Sequence, residues 1–222
     1  MTAPASIRTV LVVTSGRLRV DIVIETADES GFDLWPVLGG NQFTHIPLSG
    51  ESSDHEIGSA IHAVFHWFYL GEDERPAQTA SDYLGRALDP LAEGPTQPLG
   101  WGGPRFTDGE TTIVPGCCLS IDERHELRDS LASYGGTWLG HGPCIGINLD
   151  HGVATITQAD DDDIVTAQIQ TSESELTDAL DAADARLSEF VERSGKWAAT
   201  YVPNHTTGLR AALTTALAVR PA

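Results

Sequence analysis

The sequence predicts an α+β protein with antiparallel sheets, helices gathered in blocks and a long amphipathic C-terminal helix. Three observations point there. Several short runs are rich in β-branched residues and separated by turn signals. Three Ser-x-x-Glu capping boxes, Ser53 to Glu56, Ser120 to Glu123 and Ser172 to Glu175, each mark a helix start. Strands and helices do not alternate one by one, which disfavours a doubly wound parallel sheet.

Taken in order, residues 7–14 form a β-branched run and Ser15-Gly16 a turn. Over 17–25, Leu18, Val20, Ile22 and Ile24 alternate with Arg17, Arg19, Asp21 and Glu25, with Val23 the exception. The pair reads as a hairpin with one wet face. Residues 32–35 suggest a third strand ended by Pro36, residues 39–42 a turn, and 43–47 a short strand or loop. The box at Ser53 opens a helix to about residue 70, with Ile57, Ile61, Val64, Phe65 and Phe68 as its apolar stripe. A second helix is expected over 77–88. Four prolines and four glycines in 89–105 predict a loop. The chain therefore divides into 1–92, a β-hairpin plus two helices, a Pro/Gly-rich loop at 93–110, and an α+β part at 111–222. One continuous domain is the other division.

In the second part, strands are expected at 111–114, 137–139 and 144–149, and a hairpin at 153–157 and 164–170 around an acidic turn. The box at Ser120 opens a helix to about residue 134. The box at Ser172 opens the strongest element, in which Leu176, Leu180, Ala183, Leu187 and Phe190 recur at steps of four and three. Val191 and Trp197 extend the stripe to about residue 200, unless Gly195 ends it sooner. A terminal helix follows Pro203, over 207–219.

Thirty-two acids face thirteen Lys plus Arg, for a net charge of −19 over 222 residues. Such a surface repels phosphate backbones, so nucleic acid is not an expected partner. It attracts a basic protein, and it also keeps a protein soluble. No stretch is long and apolar enough to span a bilayer, and no secretory signal is visible, so no membrane partner is expected. Three cysteines do not make a disulfide framework, and the cytoplasm is the expected compartment.

Four clusters hold residue types that can carry chemistry. His55, His62 and His66 fall within about 20° of one line on their helix, with His62 and His66 at the i, i+4 spacing of a metal pair. The segment lacks the His-Glu-x-x-His order, so a solvated or partner-facing polar stripe is the simpler expectation. Cys117, Cys118 and Cys144, with His125 and His141, could hold zinc. Adjacent cysteines chelate poorly, so two small thiols at a strand end, one of them buried, are favoured instead. A Cys nucleophile assisted by His141 would need the two to meet in space. Asp160, Asp161, Asp162 and Asp163 lack the order of a calcium loop and read as a solvated, partner-facing tip. Gly100-Trp-Gly-Gly-Pro lacks the ending of a phosphate loop.

Pro115-Gly-Cys-Cys118, a short helix, Trp138-Leu-Gly-His141-Gly-Pro143, an acidic hairpin and the long helix from Ser172 stand in a distinctive order. Over about 113–200 this order resembles a group of actinobacterial proteins with no established activity, some of them similar to immunity or accessory proteins. The group has a third cysteine after the pair and a Trp-rich helix. This chain has Leu119 and the segment 121–125 there. The expected function is an acidic cytoplasmic protein-binding module, immunity- or antitoxin-like or accessory, neutralising a basic partner. No catalytic set is expected. The alternative is a metal-dependent enzyme or zinc-binding protein using His55/His62/His66 or Cys117/Cys118/Cys144. A homo-oligomeric accessory role is a third possibility.

Overall fold

A computed structural model describes residues 16–40, 42–69, 76–93, 98–132, 137–140 and 142–220, except the side chains of 67–69, 90–93 and 138. The strand expected over 7–14 lies outside the described residues. Its proposed partner is β1 (Arg19–Glu25), which pairs antiparallel with β2 (His45–Pro47) on one side and β3 (Gly102–Thr107) on the other. With β4 (Thr112–Ile113) they form one sheet in the order β2-β1-β3-β4. A second antiparallel sheet, β5-β6-β7-β8, is built from β5 (Thr137–Leu139), β6 (Cys144–Asp150), β7 (Val153–Ala159) and β8 (Val165–Ser172). Ile147, Ile156 and Ile169 line up across its three longer strands, and all three are buried.

Helices cover these sheets: α1 (Asp54–Tyr69), α2 (Ala80–Glu93), α3 (Arg124–Ala132), α4 (Glu173–Tyr201) and α5 (Thr206–Ala216). Short 3-10 turns precede α3 (Ile121–Glu123) and α5 (Pro203–His205). All three capping boxes start helical turns. Glu56 and Glu123 each accept the backbone N–H of their serine at 2.7 Å. The fold class is thus α+β, as expected, and one hydrophobic cluster runs from Leu18, just before β1, to Leu217 after α5.

The long helix α4 touches β1, β7, β8, α1 and α5. Its expected stripe, from Leu176 through Trp197, is buried throughout, and Gly195 does not interrupt it. Ser172 caps it by accepting Glu175 N–H at 3.1 Å. Glu175 does not return the bond. Its carboxylate instead accepts the Leu18 N–H at 2.9 Å, 157 residues away, and the Thr171 hydroxyl at 2.7 Å. About three turns of helix further along the same face, Arg186 donates to Val20 O. At the far end, Trp197 Nε1 donates to Asp54 O at 3.0 Å, and Arg193 pairs with the Asp54 carboxylate at 2.7 Å.

Several expectations are corrected. Residues 32–35 form no strand. Trp35 is instead buried in a loop and donates its indole N–H to Gly58 O of α1 at 2.9 Å. The loop can lie this close because Gly58 has no side chain: a Cβ there would sit 1.9 Å from Pro36 O. The glycine- and proline-rich stretch is not all loop. Helix α2 extends to Glu93, and Gly102 begins β3 in a left-handed conformation whose Cβ would meet Val23 O at 2.1 Å. Pro104 is tolerated because β4 pairs only with Phe106 and Thr107, so β3 carries a strand on one side there. The expected wet face of β1 is wet at Arg19 but not in the middle of the strand. Val23 and Asp21 are buried, and Asp21 is held by Arg19, Arg105 and Arg186.

A buried arginine locks α3 in place. Arg124 donates to Asp184 of α4 at 2.9 Å, to Ile121 O and Leu217 O at 2.8 Å, and to Ala218 O at 2.9 Å. Burial lowers its pKa, and the Asp184 partner opposes that. Every bond it makes goes to a group that needs a donor, so the charge is compensated.

Phe190 is fully buried in the α4 stripe, whereas its neighbour Glu189 is exposed. Phe190→Ala should lower unfolding free energy by about 3–5 kcal/mol. Glu189→Ala should change it by less than about 0.5 kcal/mol. Urea titration followed by tryptophan fluorescence checks both.

Candidate functional site

The three helix histidines do not share one environment. His55, in the first turn of α1, is exposed. His62 is buried, only 3% exposed, and His66 is half-buried. The expectation of a solvated stripe opposite the core face is therefore overturned at His62. The reason lies outside α1: the 28–35 loop and α2 fold over its second face, so residues 57–65 are buried all round. The rings of His62 and His66 lie 5.1 Å apart, edge to face.

Around His62 stands an aromatic cluster. Phe32 lies 4.3 Å from the His62 ring and 4.7 Å from Trp35. Tyr83 of α2 lies 5.2 Å from Trp35 and 5.8 Å from Phe32. Trp35 in turn meets Trp197 of α4 at 5.9 Å, edge on. Of these rings, Phe32 and Tyr83, with His66, line an open cavity of about 280 Å³ whose walls also include Asp28, Ser30, Asp33, Leu34, Pro76 and Ala77. His62 lines it too, and its Nδ1 is buried with no hydrogen-bond partner among the described residues.

The electrostatics follow from burial. The His62 imidazole is pushed down to about 4, mainly by burial and then by His66, with Asp28 pulling the other way. Burial also lowers His66. Both rings are neutral at pH 7. Hydrogen bonds from Ser30 hold the Asp28 carboxyl below its ordinary range, and His66 and His62 add a smaller pull in that direction. The cavity thus joins an apolar, neutral floor to a negative rim.

The cysteine cluster separates. Cys117 and Cys118 are both exposed, against the expectation that one is buried, because Cys118 turns the chain at φ 60°. Cys144 is half-buried at the start of β6. Cys117 is raised above its ordinary thiol value by a hydrogen bond with Cys118, then by partial burial and by repulsion from Cys118, Glu25 and Asp161. A raised thiol is the opposite of an activated nucleophile. His125 faces elsewhere, with Nε2 3.0 Å from Ala218 O after α5. His141 lies outside the described residues. Among the described residues, no three His, Cys, Asp or Glu side chains gather closely enough to hold an ion.

Asp160 to Asp163 form the tip of the β7–β8 hairpin. Asp160 is structural: its Oδ1 accepts the N–H groups of Asp162 at 3.0 Å and Ile164 at 2.9 Å. Asp161, Asp162 and Asp163 are exposed. Beside them Ile164 and Val165 are 60% and 53% exposed. A wider groove of about 830 Å³ runs along α4 and α5 past Arg193, Lys196, Arg210 and Arg220. Its charge is mixed, since Arg210 pairs with Glu192 and Arg193 with Asp54.

The aromatic cavity left no mark in the sequence patterns, because its walls come from a loop and two helices. Phe32 and Trp35 were visible only as a candidate strand. The one local signal was the histidine pair at i, i+4.

Two outcomes follow. An imidazole kept neutral in the fold, but free to take a proton when unfolded, destabilises the native state as pH falls from 6.5 towards about 4. For His62 the loss is on the order of 3 kcal/mol across that window and stops below it. His62→Phe should flatten this part of the stability profile, measured as urea midpoint against pH. For the thiols, iodoacetamide should label Cys117 more slowly than free cysteine at pH 7, despite its exposure, as read by peptide mass spectrometry.

No helix among the described residues is long and apolar enough to cross a membrane. No family model, curated protein or solved structure matches the chain, so a functional assignment rests on the chemistry of these side chains.

Proposed function

We propose that this protein is a binding module for a basic protein partner, of the immunity, antitoxin or accessory kind, acting in the cytoplasm. The observation that carries it is the hairpin tip. There, three exposed carboxylates, Asp161, Asp162 and Asp163, flank two exposed aliphatic side chains, Ile164 and Val165. Apolar surface rimmed by charge of one sign is what a protein interface offers a partner of the other sign.

The rest of the chain supports this reading through where its bases go. Arg19, Arg105 and Arg186 surround Asp21; Arg124 and Arg128 hold Asp184; Arg86, Arg193 and Arg210 pair with Asp82, Asp54 and Glu192. Arginines committed to these contacts do little to offset the tip. The net charge of −19 gives the chain a negative field, which speeds encounter with a cation-rich surface.

A partner captured from the source cells at low salt should be basic, and its association should slow as salt is added. Changing Asp161, Asp162 and Asp163 together to Asn should cut the association rate several-fold at low salt, about as far as steering accounts for it. It should also flatten the salt dependence, as read by surface plasmon resonance. A partner indifferent both to salt and to this change would overturn the proposal.

A further inference from the structure

Cys117 and Cys118 are exposed, yet the residues on either side of them are not. Pro115, Gly116 and Leu119 are buried. The Leu119 carbonyl accepts the Gly102 N–H at 2.8 Å, and its side chain lies so close to β3 that a Cβ on Gly103 would fall 2.6 Å from Leu119 Cδ2. The two thiols thus stand on a short step of chain that is anchored at both ends. In an extended strand neighbouring side chains point to opposite faces. Here Cys118 turns the chain at φ 60°, and the two thiols meet in a hydrogen bond. Two sulfurs that touch each other and also face solvent are open to a small reagent, and the second is in place as soon as the first has reacted.

We propose that Cys117 and Cys118 are a reversible oxidation site, at which a low-molecular-weight disulfide converts the two thiols into one bond between neighbouring residues. Cys118 attacks first. Its thiolate displaces one thiol from the small disulfide and is left as a mixed disulfide. Cys117 then gives up its proton, attacks the Cys118 sulfur and releases the second small thiol. Two protein thiols and one small disulfide become one protein disulfide and two small thiols, which carry away the two protons.

The order of attack follows from the hydrogen bond. Cys117 donates it, and this is the main reason that its thiol stays above the ordinary value; repulsion from Cys118 adds to the effect. Once Cys118 is in a mixed disulfide it carries no charge and accepts only weakly, so both effects lapse and Cys117 is freed to attack. The product is labile for a geometric reason. Neighbouring Cα atoms across a trans peptide are about 3.8 Å apart, below the roughly 4.4–6.8 Å of ordinary disulfides. A bond closed at that separation is strained and more easily reduced than a structural one. It suits a mark that is put on and removed, not a permanent staple. The inference is independent of the hairpin-tip reading and stands or falls without it.

The test uses the reduced full chain and oxidised glutathione. Trypsin leaves Cys117 and Cys118 together on the peptide from Phe106 to Arg124, and Cys144 on the peptide from Asp129 to Arg186. Mass spectrometry of the native chain should show the first peptide lighter by two hydrogens and closed to iodoacetamide, and dithiothreitol should restore it. Cys117→Ser should stop with glutathione on Cys118, at a level at least about tenfold above the mixed disulfide seen in the native chain. Cys118→Ser should speed iodoacetamide labelling of Cys117 several-fold, because the hydrogen bond to a charged sulfur is gone; unchanged labelling would overturn the order of attack. Both positions are exposed, so these variants should keep the native urea midpoint. Cys144→Ser should close the bond as the native chain does. A mixed disulfide that persists on the native chain, a bond to Cys144 or between chains, or no reaction at all overturns the proposal.

Discussion

Glu175 and Arg186 of α4 bind the backbone of β1 where β2 does not reach. Strand β2 pairs only with Val23, Ile24 and Glu25, and Leu48 N–H closes the ladder at Ile22 O. Beyond that, Leu18 N–H and Val20 C=O face the same edge, and the two α4 side chains take them. An open edge would otherwise present unpaired groups for another chain to extend. The same helix grips the first turn of α1 through Asp54 and anchors α3 through Asp181 and Asp184. Its apolar stripe packs both sheets, while its polar side chains fix where each neighbour sits.

This division explains what the sequence could and could not reveal. Stripes and caps are local, so the α4 stripe and the boxes at Ser53, Ser120 and Ser172 were legible. The hairpin of β7 and β8 was legible too, because its alternation and acidic turn lie within twenty residues. The burial of Asp21 was not, since three arginines from three elements neutralise it. Strand β3 was hidden by its glycines, which serve close backbone approach and imitate loop composition. Glu175 looked like half of a capping box, and only the tertiary arrangement sends its carboxylate to Leu18.

The aromatic cavity shows the same limit for function. On a helical wheel His62 lies opposite the apolar stripe, which suggested water. The covering layer is Trp35 and Phe32 from a loop and Tyr83 from α2, none of which lies on α1. Once covered, His62 becomes a neutral group in an apolar setting under an acidic rim. The hairpin tip, by contrast, needed no tertiary information, because an exposed turn with a run of aspartates is visible in the chain itself.

The bond from Glu175 to Leu18 has a consequence for how the chain is made. Leu18 leaves the ribosome long before Glu175 is synthesised, and 157 residues separate the two. Until α4 emerges, Leu18 N–H and Val20 C=O lack the partners that Glu175 and Arg186 supply, and unpaired strand edges favour sticking between nascent chains. The last third of the polypeptide thus closes a border that one of its earliest segments leaves open.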